Sequence, residues 1–226
     1  MDLSIVMPVY NEERSIREVL EKVLKLELNH LAREVVVVDD GSTDRTPELL
    51  MGFSGQPRVK IITHQKNLGK GRAIRTGIEN STGSIIALQD SDLEYDPGEL
   101  PALIAQIING EEVVYGSRFL GSVKNMSLLF YMGNRLLTLL TRLLYGAPIT
   151  DMETGFKVFR RGVVKGMELE STGFEIEPEL TAKILRAGRR IKEAPINYVA
   201  REKQQKKITI KDGLVAFFTL LKYRVR

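Results

Sequence analysis

Apolar and polar positions follow two rhythms along this chain. Leu3–Val9 and Glu34–Val38 are short, continuous runs rich in β-branched residues, the pattern of strands buried on both faces of a parallel sheet. Val59–Thr63, Ser84–Leu88 and Glu112–Tyr115 repeat the signal. Between the first two runs, Ile16, Val19, Leu20, Val23 and Leu24 recur at helical spacing behind Asn11-Glu12-Glu13 and predict an amphipathic helix. Strands alternating with helices predict an α/β protein with a doubly wound, mostly parallel sheet flanked by helices. In such a sheet ligands bind at the carboxyl ends of the strands.

Beyond about residue 120 the rhythm changes. Ser127–Tyr145 reads as a leucine-rich helix with Arg135, Thr138 and Arg142 on one face and most of the remaining surface apolar. Glu175–Ala187 reads as a helix ended by Gly188, Arg189–Val199 as a late strand, Arg201–Lys211 as a basic loop and Asp212–Tyr223 as a final amphipathic helix. No repeat, low-complexity tract or linker interrupts the chain, so residues 1–226 are expected to form one domain.

Composition narrows the possibilities. Hydrophobic residues are 43% and charged residues 27% of 226, which is globular and excludes disorder and fibrous classes. The absence of cysteine excludes a disulfide scaffold, a thiolate metal site and a cysteine nucleophile. With only His30 and His64, a multi-histidine zinc centre is not expected. The net charge of +4 is mild, so where the charges sit matters more than their sum. The first residues lack the basic segment of a signal peptide. No run of about 20 residues is free of charge, as a membrane span would need; the nearest, Met126–Tyr145, contains Asn134, Arg135 and Arg142.

Several constellations carry chemistry. Val35–Val38 run into Asp39-Asp40-Gly41-Ser42-Thr43-Asp44. Carboxylates at a strand's end can accept from a ribose hydroxyl or a base N–H, while Ser42 or Thr43 is expected to cap the next helix. Ile85–Gln89 run into Asp90-Ser91-Asp92, with Glu94 two residues on; these hard oxygens suit Mg²⁺ or Mn²⁺ with positions left open for substrate phosphates. In Asn67-Leu68-Gly69-Lys70-Gly71-Arg72, glycines and cations open a helix, a favourable place for an anion. Gly116-Ser117-Arg118 follows a strand, and Asp151-Met152-Glu153-Thr154-Gly155-Phe156-Lys157 and Gly173-Phe174-Glu175-Ile176-Glu177 set acids beside glycines and aromatics, as in a shaped polar pocket.

Together, Pro8-Val9-Tyr10-Asn11-Glu12-Glu13, Val37-Val38-Asp39-Asp40-Gly41-Ser42-Thr43-Asp44, Asn67-Leu68-Gly69-Lys70-Gly71 and Asp90-Ser91-Asp92 resemble the family 2 glycosyltransferases of GT-A fold. Gly116-Ser117-Arg118, Asn134-Arg135, Asp151 to Phe159, Gly173 to Glu179 and Lys206-Lys207-Ile208 extend the resemblance to the polyprenyl-phosphate (dolichyl-phosphate) glycosyltransferases. The resemblance implies inverting, metal-dependent transfer of a hexose from a UDP- or GDP-linked sugar to a polyprenyl or dolichyl phosphate. Residues 1–120 would then bind the nucleotide sugar and 121–226 the acceptor. It implies a nucleoside pocket of Pro8, Tyr10, Glu12, Asp39 and Asp40, with Lys70 and Asp90 on the donor. Asp90 and Asp92 would hold Mg²⁺ or Mn²⁺, with Glu94 at the place of a third ligand, and Arg118, Arg135 and Arg201 would hold the acceptor phosphate. A phosphate acceptor is largely ionised at neutral pH and needs no general base; a soluble sugar or polysaccharide acceptor, the alternative, would need one, and Asp151 is the candidate. Asp92, Asp151 and Arg118 are thus the expected catalytic residues.

The basic cluster Arg201, Lys203, Lys206, Lys207 and Lys211 precedes Leu214, Phe217, Phe218 and Leu221. With the leucine-rich Ser127–Tyr145, it predicts reversible attachment to an anionic membrane surface. The expected location is the cytoplasmic face of a membrane, held peripherally. The cluster lacks interleaved aromatics, so nucleic acid is not an expected partner.

Overall fold

The computed structural model describes residues 2–28, 31–201 and 209–225. The predicted basic positions Lys203, Lys206 and Lys207 lie outside the described residues. In chain order the elements are β1 (Leu3–Val9), α1 (Ile16–Lys25), β2 (Arg33–Asp39), α2 (Thr46–Met51), β3 (Val59–Thr63), α3 (Lys70–Glu79), β4 (Ile85–Leu88), α4 (Leu100–Ile108), β5 (Val113–Lys124), α5 (Leu128–Tyr145), β6 (Lys157–Arg160), α6 (Arg161–Val164), α7 (Ile176–Arg186), β7 (Lys192–Val199) and α8 (Ile210–Val225).

Seven strands form one sheet in the order β3-β2-β1-β4-β6-β5-β7. All pairings are parallel except the two made by β6, which runs against β4 and β5. The valine run of β2 shows why its apolar residues are continuous. Val35 and Val37 face the layer of α1 and α4, whereas Val36 and Val38 meet Ala73 on α3. The period of two thus buries both faces. Ile16, Leu20, Leu103 and Ile107 fill one side, and Ile74, Leu180 and Ile184 the other.

Two elements differ from the sequence-based expectation. The run Glu112–Tyr115 is only the start of β5, which continues to Lys124 with an irregularity between Ser117 and Ser122 where its pairing with β7 shifts. The motif around Phe156 contributes β6, a four-residue strand too short to carry a periodic signal. The remaining predicted strands and helices are present within a few residues of their expected ends.

The last helices invert the usual plan. α5 buries only Thr138 and Thr141, while Leu128, Leu136 and Leu143 are 76%, 64% and 75% exposed. α8 turns Ala216, Thr219, Leu220 and Tyr223 inward; of the predicted face Leu214, Phe217, Phe218 and Leu221, Leu214 and Phe217 border the cleft described below and Phe218 is exposed. Small inward residues let α8 lie close on α5, where Leu220 meets Ile149 and Met152 and the Tyr145 hydroxyl donates to the Leu220 carbonyl at 2.6 Å. Among the described residues no helix is long and apolar enough to cross a membrane.

Candidate active site

The carboxyl ends of β1 and β4, the start of α3 and the residues after β2 face a cleft of about 610 Å³, roofed by α5 and α8. Its polar end is lined by Glu12, Asp40, Lys70, Asp90, Asp92 and Glu94, and its apolar end by Leu129, Phe130, Leu137, Leu214 and Phe217. Arg118 stands within the same cleft.

The loops after β1 and β2 hold one another. Asn11, at a positive φ of 49°, accepts from the Thr43 backbone N–H at 2.8 Å, and its own N–H donates to the Ser42 hydroxyl at 2.9 Å. Ser42 and Thr43 therefore clasp the β1 loop and do not cap α2; the N–H of Thr46 is met by Asp44 instead, at 2.9 Å. The adjacent acids part company. Asp39 is 1% exposed, accepts from the Ser42 N–H at 3.1 Å and does not line the cleft, a correction to its expected place in the nucleoside pocket. Consecutive strand-end side chains point to opposite sides, so only Asp40 reaches it.

Asp40 has its own partners. Its carboxylate accepts from the N–H groups of Leu68 (3.0 Å) and Gly69 (2.7 Å) and lies 2.7 Å from His64 Nδ1. The next amides, of Gly71 and Arg72, donate to the carbonyls of Gly173 and Thr172. The backbone at the start of α3 is thus committed within the protein, and the predicted anion recognition there falls to the Lys70 side chain. Its ammonium is 2.8 Å from Asp90 and 3.1 Å from Glu177. Burial opposes its charge, but Asp90 and Glu177 outweigh that and hold it protonated. Glu177 is also paired with the fully buried Lys157, and the two lysines keep its carboxyl below the usual range against the effect of burial. Lys157 and Glu177 both belong to motifs expected to shape a polar pocket; their pairing across two elements is what the sequence pattern does not announce.

On the opposite side Arg201 is surrounded by acids. Its guanidinium is 2.8 Å from Glu12, 2.7 Å from Asp92 and 3.6 Å from Glu94. Burial and the neighbouring Asp90 push the Asp92 carboxyl up to about 7 while Arg201 pulls it down. Glu94 accepts from the Tyr198 hydroxyl at 2.9 Å and the Arg201 backbone N–H at 2.7 Å, so its oxygens are engaged by protein donors. No group of three or more histidine, cysteine or acidic side chains gathers to hold a metal among the described residues. The expected triple set is therefore corrected to a pair. Asp90 and Asp92 supply hard oxygens at a strand end and already attract cations, which fits Mg²⁺ or Mn²⁺ with the other positions met by water and phosphate.

Arg118 is 5% exposed. Asp151, fully buried, accepts from its Nε and Nη2, each at 2.7 Å, and from its backbone N–H at 3.0 Å. Asn134 on α5 accepts from Nη2 at 3.0 Å. Nη1 has no partner among the described residues. Burial opposes the Arg118 charge, but Asp151 raises its affinity for the proton well beyond that. Asp151 does not line the cleft; its oxygens are spent on Arg118, so it positions that arginine and is not available as the expected base. Arg135 does not line the cleft either and lies over the Phe119 ring at 5.1 Å. One residue is 100° of helix, and it is Asn134 that α5 turns inward.

The mostly parallel seven-stranded sheet flanked by helices is of the GT-A class. The family model described as Glycosyl transferase family 2 matches residues 4–167. The chain belongs to that family. It is 30% identical to the dolichol-phosphate mannosyltransferase of Pyrococcus furiosus, over 99% of this chain and 64% of that protein. It is 36% identical to the low-salt glycan biosynthesis hexosyltransferase Agl6 of Haloferax volcanii, over 93% of this chain and 51% of that one. The chain thus spans between half and two thirds of the length of these relatives. Its fold matches that of glucosyl-3-phosphoglycerate synthase of Mycobacterium tuberculosis in complex with Mn²⁺, UDP and glucosyl-3-phosphoglycerate, with a TM-score of 0.77, 20% identity, and coverage of 99% of this chain and 80% of that one.

Proposed function

We propose that this chain transfers a hexose from a nucleotide diphosphate sugar to a polyprenyl phosphate at a membrane surface. The observation that carries the reading is the cleft itself, which joins an acid-and-lysine end to an apolar end between α5 and α8 with Arg118 inside it. A donor of ionic head and an acceptor of phosphate on a hydrocarbon chain match those two ends in chemistry. The dolichol-phosphate mannosyltransferase relative supports the acceptor class.

In this reading Pro8, Tyr10, Glu12 and Asp40 receive the nucleoside, and Lys70 meets the diphosphate. Asp90 and Asp92 hold a divalent ion, which when bound neutralises charge on the leaving diphosphate. Arg118 offers Nη1 to the acceptor phosphate while Asp151 and Asn134 keep its plane from turning. An oxygen of that dianion attacks the anomeric carbon from the face opposite the leaving group, and the bond to the diphosphate breaks with inversion. No proton has to be removed, which suits a site whose arginine-bound Asp151 has no free oxygen. Arg201, released from its carboxylates, is a second cation for the phosphates.

The exposed leucines of α5 with Leu214 and Phe218 of α8 form the membrane-facing surface. Anionic lipid adds to that attachment through nearby lysines and arginines.

The test is a transfer assay with radiolabelled UDP-glucose, UDP-galactose and GDP-mannose, Mn²⁺, and either undecaprenyl phosphate in vesicles or soluble oligosaccharides. Label moving into the organic phase with one donor supports the reading. Label moving only into oligosaccharide overturns the acceptor assignment.

A further inference from the structure

We infer that Glu153 is the residue that reads the hydroxyl pattern of the transferred sugar, an inference that rests on the glycosyltransferase reading above. Glu153 lines the cleft, and its Oε1 is buried with no hydrogen-bond partner among the described residues. Buried side-chain oxygens are almost always bonded, and one left open in a ligand cleft is completed by the ligand.

Its location selects the part of the ligand. Two residues before it, Asp151 is fastened to Arg118, the acceptor-phosphate cation. Two residues after it, Gly155 lies so close to Asp90 that a Cβ there would collide with the carboxylate. Glu153 therefore occupies the span between the two phosphate-binding ends. The group that connects leaving diphosphate to attacking phosphate is the sugar. A carboxyl group repels phosphate oxygens but accepts from sugar hydroxyls. Burial, reinforced by Glu177 and Asp151 and opposed by Lys157 and Arg118, lifts the Glu153 carboxyl to about 7, so a hydroxyl oxygen can also accept its proton.

The backbone on both sides of Glu153 is fixed. Lys157 Nζ donates to the carbonyl of Met152 at 3.2 Å and to that of Thr154, and is itself anchored on Glu177. A side chain held this way discriminates, because a sugar that does not present its hydroxyl leaves the oxygen unpaired.

The experiment compares wild type with Glu153→Gln and Glu153→Ala by calorimetry with Mn²⁺. The probes are UDP, GDP, UDP-glucose, UDP-galactose and GDP-mannose, followed by monodeoxy analogues of the preferred nucleotide sugar. Expected is bare-nucleotide affinity within twofold of wild type and loss of the extra affinity for nucleotide sugar, about tenfold in Glu153→Ala and less in Glu153→Gln. One deoxy analogue should bind wild type about tenfold more weakly yet be indifferent to Glu153→Ala. Equal changes for nucleotide and nucleotide sugar, or deoxy effects that all add to the substitution, overturn the role of Glu153 and leave the glycosyltransferase reading standing. A wild-type chain that binds no nucleotide overturns both.

Discussion

Arg118 and Arg201 read alike in the sequence, as basic residues expected on one phosphate, yet the fold gives them opposite surroundings. Arg118 meets a single carboxylate that is fully buried, in a two-point clamp that cancels its charge locally. Arg201 meets three acids, with its side chain 20% exposed. A clamped arginine is an aiming device, because turning it would expose Asp151 unpaired in the interior. A shared arginine is an exchangeable cation, because its acids remain an attractive site for whatever replaces it.

The largest expected effect breaks the first side of that contrast. Asp151→Asn leaves the Arg118 guanidinium buried without a counter-charge and should lower stability by about 3–5 kcal/mol, read as a shifted urea midpoint. Arg201→Gln should cost less in the same measurement, because its acids can take up protons, as the Asp92 carboxyl, already pushed up to about 7, is poised to do. Equal losses would erase the distinction.

Arg118→Lys keeps the charge and removes the planar fork. It should raise the KM for polyprenyl phosphate by the equivalent of about 1.5–3 kcal/mol while changing the donor KM little. A donor-only effect would put the acceptor phosphate elsewhere.

Beside the Arg118 clamp, burial pushes the Glu153 carboxyl up to about 7 from its ordinary value of 4.5. The folded protein then keeps a proton that the unfolded chain releases, so stability falls as pH rises from the ordinary carboxyl range to about 7 and levels beyond. Glu153→Gln should reduce that slope, leaving the part due to Asp92, and be more stable than wild type at pH 8 by about 1–2 kcal/mol. A wild-type melting profile flat across this window would sink the assignment.

The smallest effect sharpens the second side. Without donor, Arg201→Gln should bind Mn²⁺ tighter, by roughly tenfold, since the Asp90–Asp92 pair loses the cation that competes for Asp92. Electron paramagnetic resonance of free Mn²⁺ measures this directly, and weaker binding would mean that Arg201 organises the acids instead of competing.

Much of this was legible before the fold. Apolar runs ending in Asp40 and Asp90 place carboxylates at a sheet's edge through local patterning alone. What stayed hidden depends on side-chain direction and distant partners. Asp39 differs from Asp40, and Arg135 from Asn134, by one residue, yet in a strand or a helix one residue changes the face. The clamp joins positions 118 and 151, and the Lys157–Glu177 pair joins a strand to a helix; no local spacing announces either. The short β6 escaped because four residues between paired strands need no periodicity of their own.

The contact of Gly69 and Gly71 with the backbone of residues 171–173 has a bearing on dynamics. A Cβ at Gly71 would stand 2.6 Å from the Ser171 carbonyl, so the two segments touch without side chains between them. The amides of Gly71 and Arg72 donate across that seam at 3.1 Å each. Their hydrogens should exchange with deuterium together, as one opening event, and the rate becomes a built-in gauge of how often the start of α3 lifts from the loop before α7. Nucleotide bound to Lys70 should slow that exchange, whereas a ligand confined to the α5–α8 end should leave it unchanged.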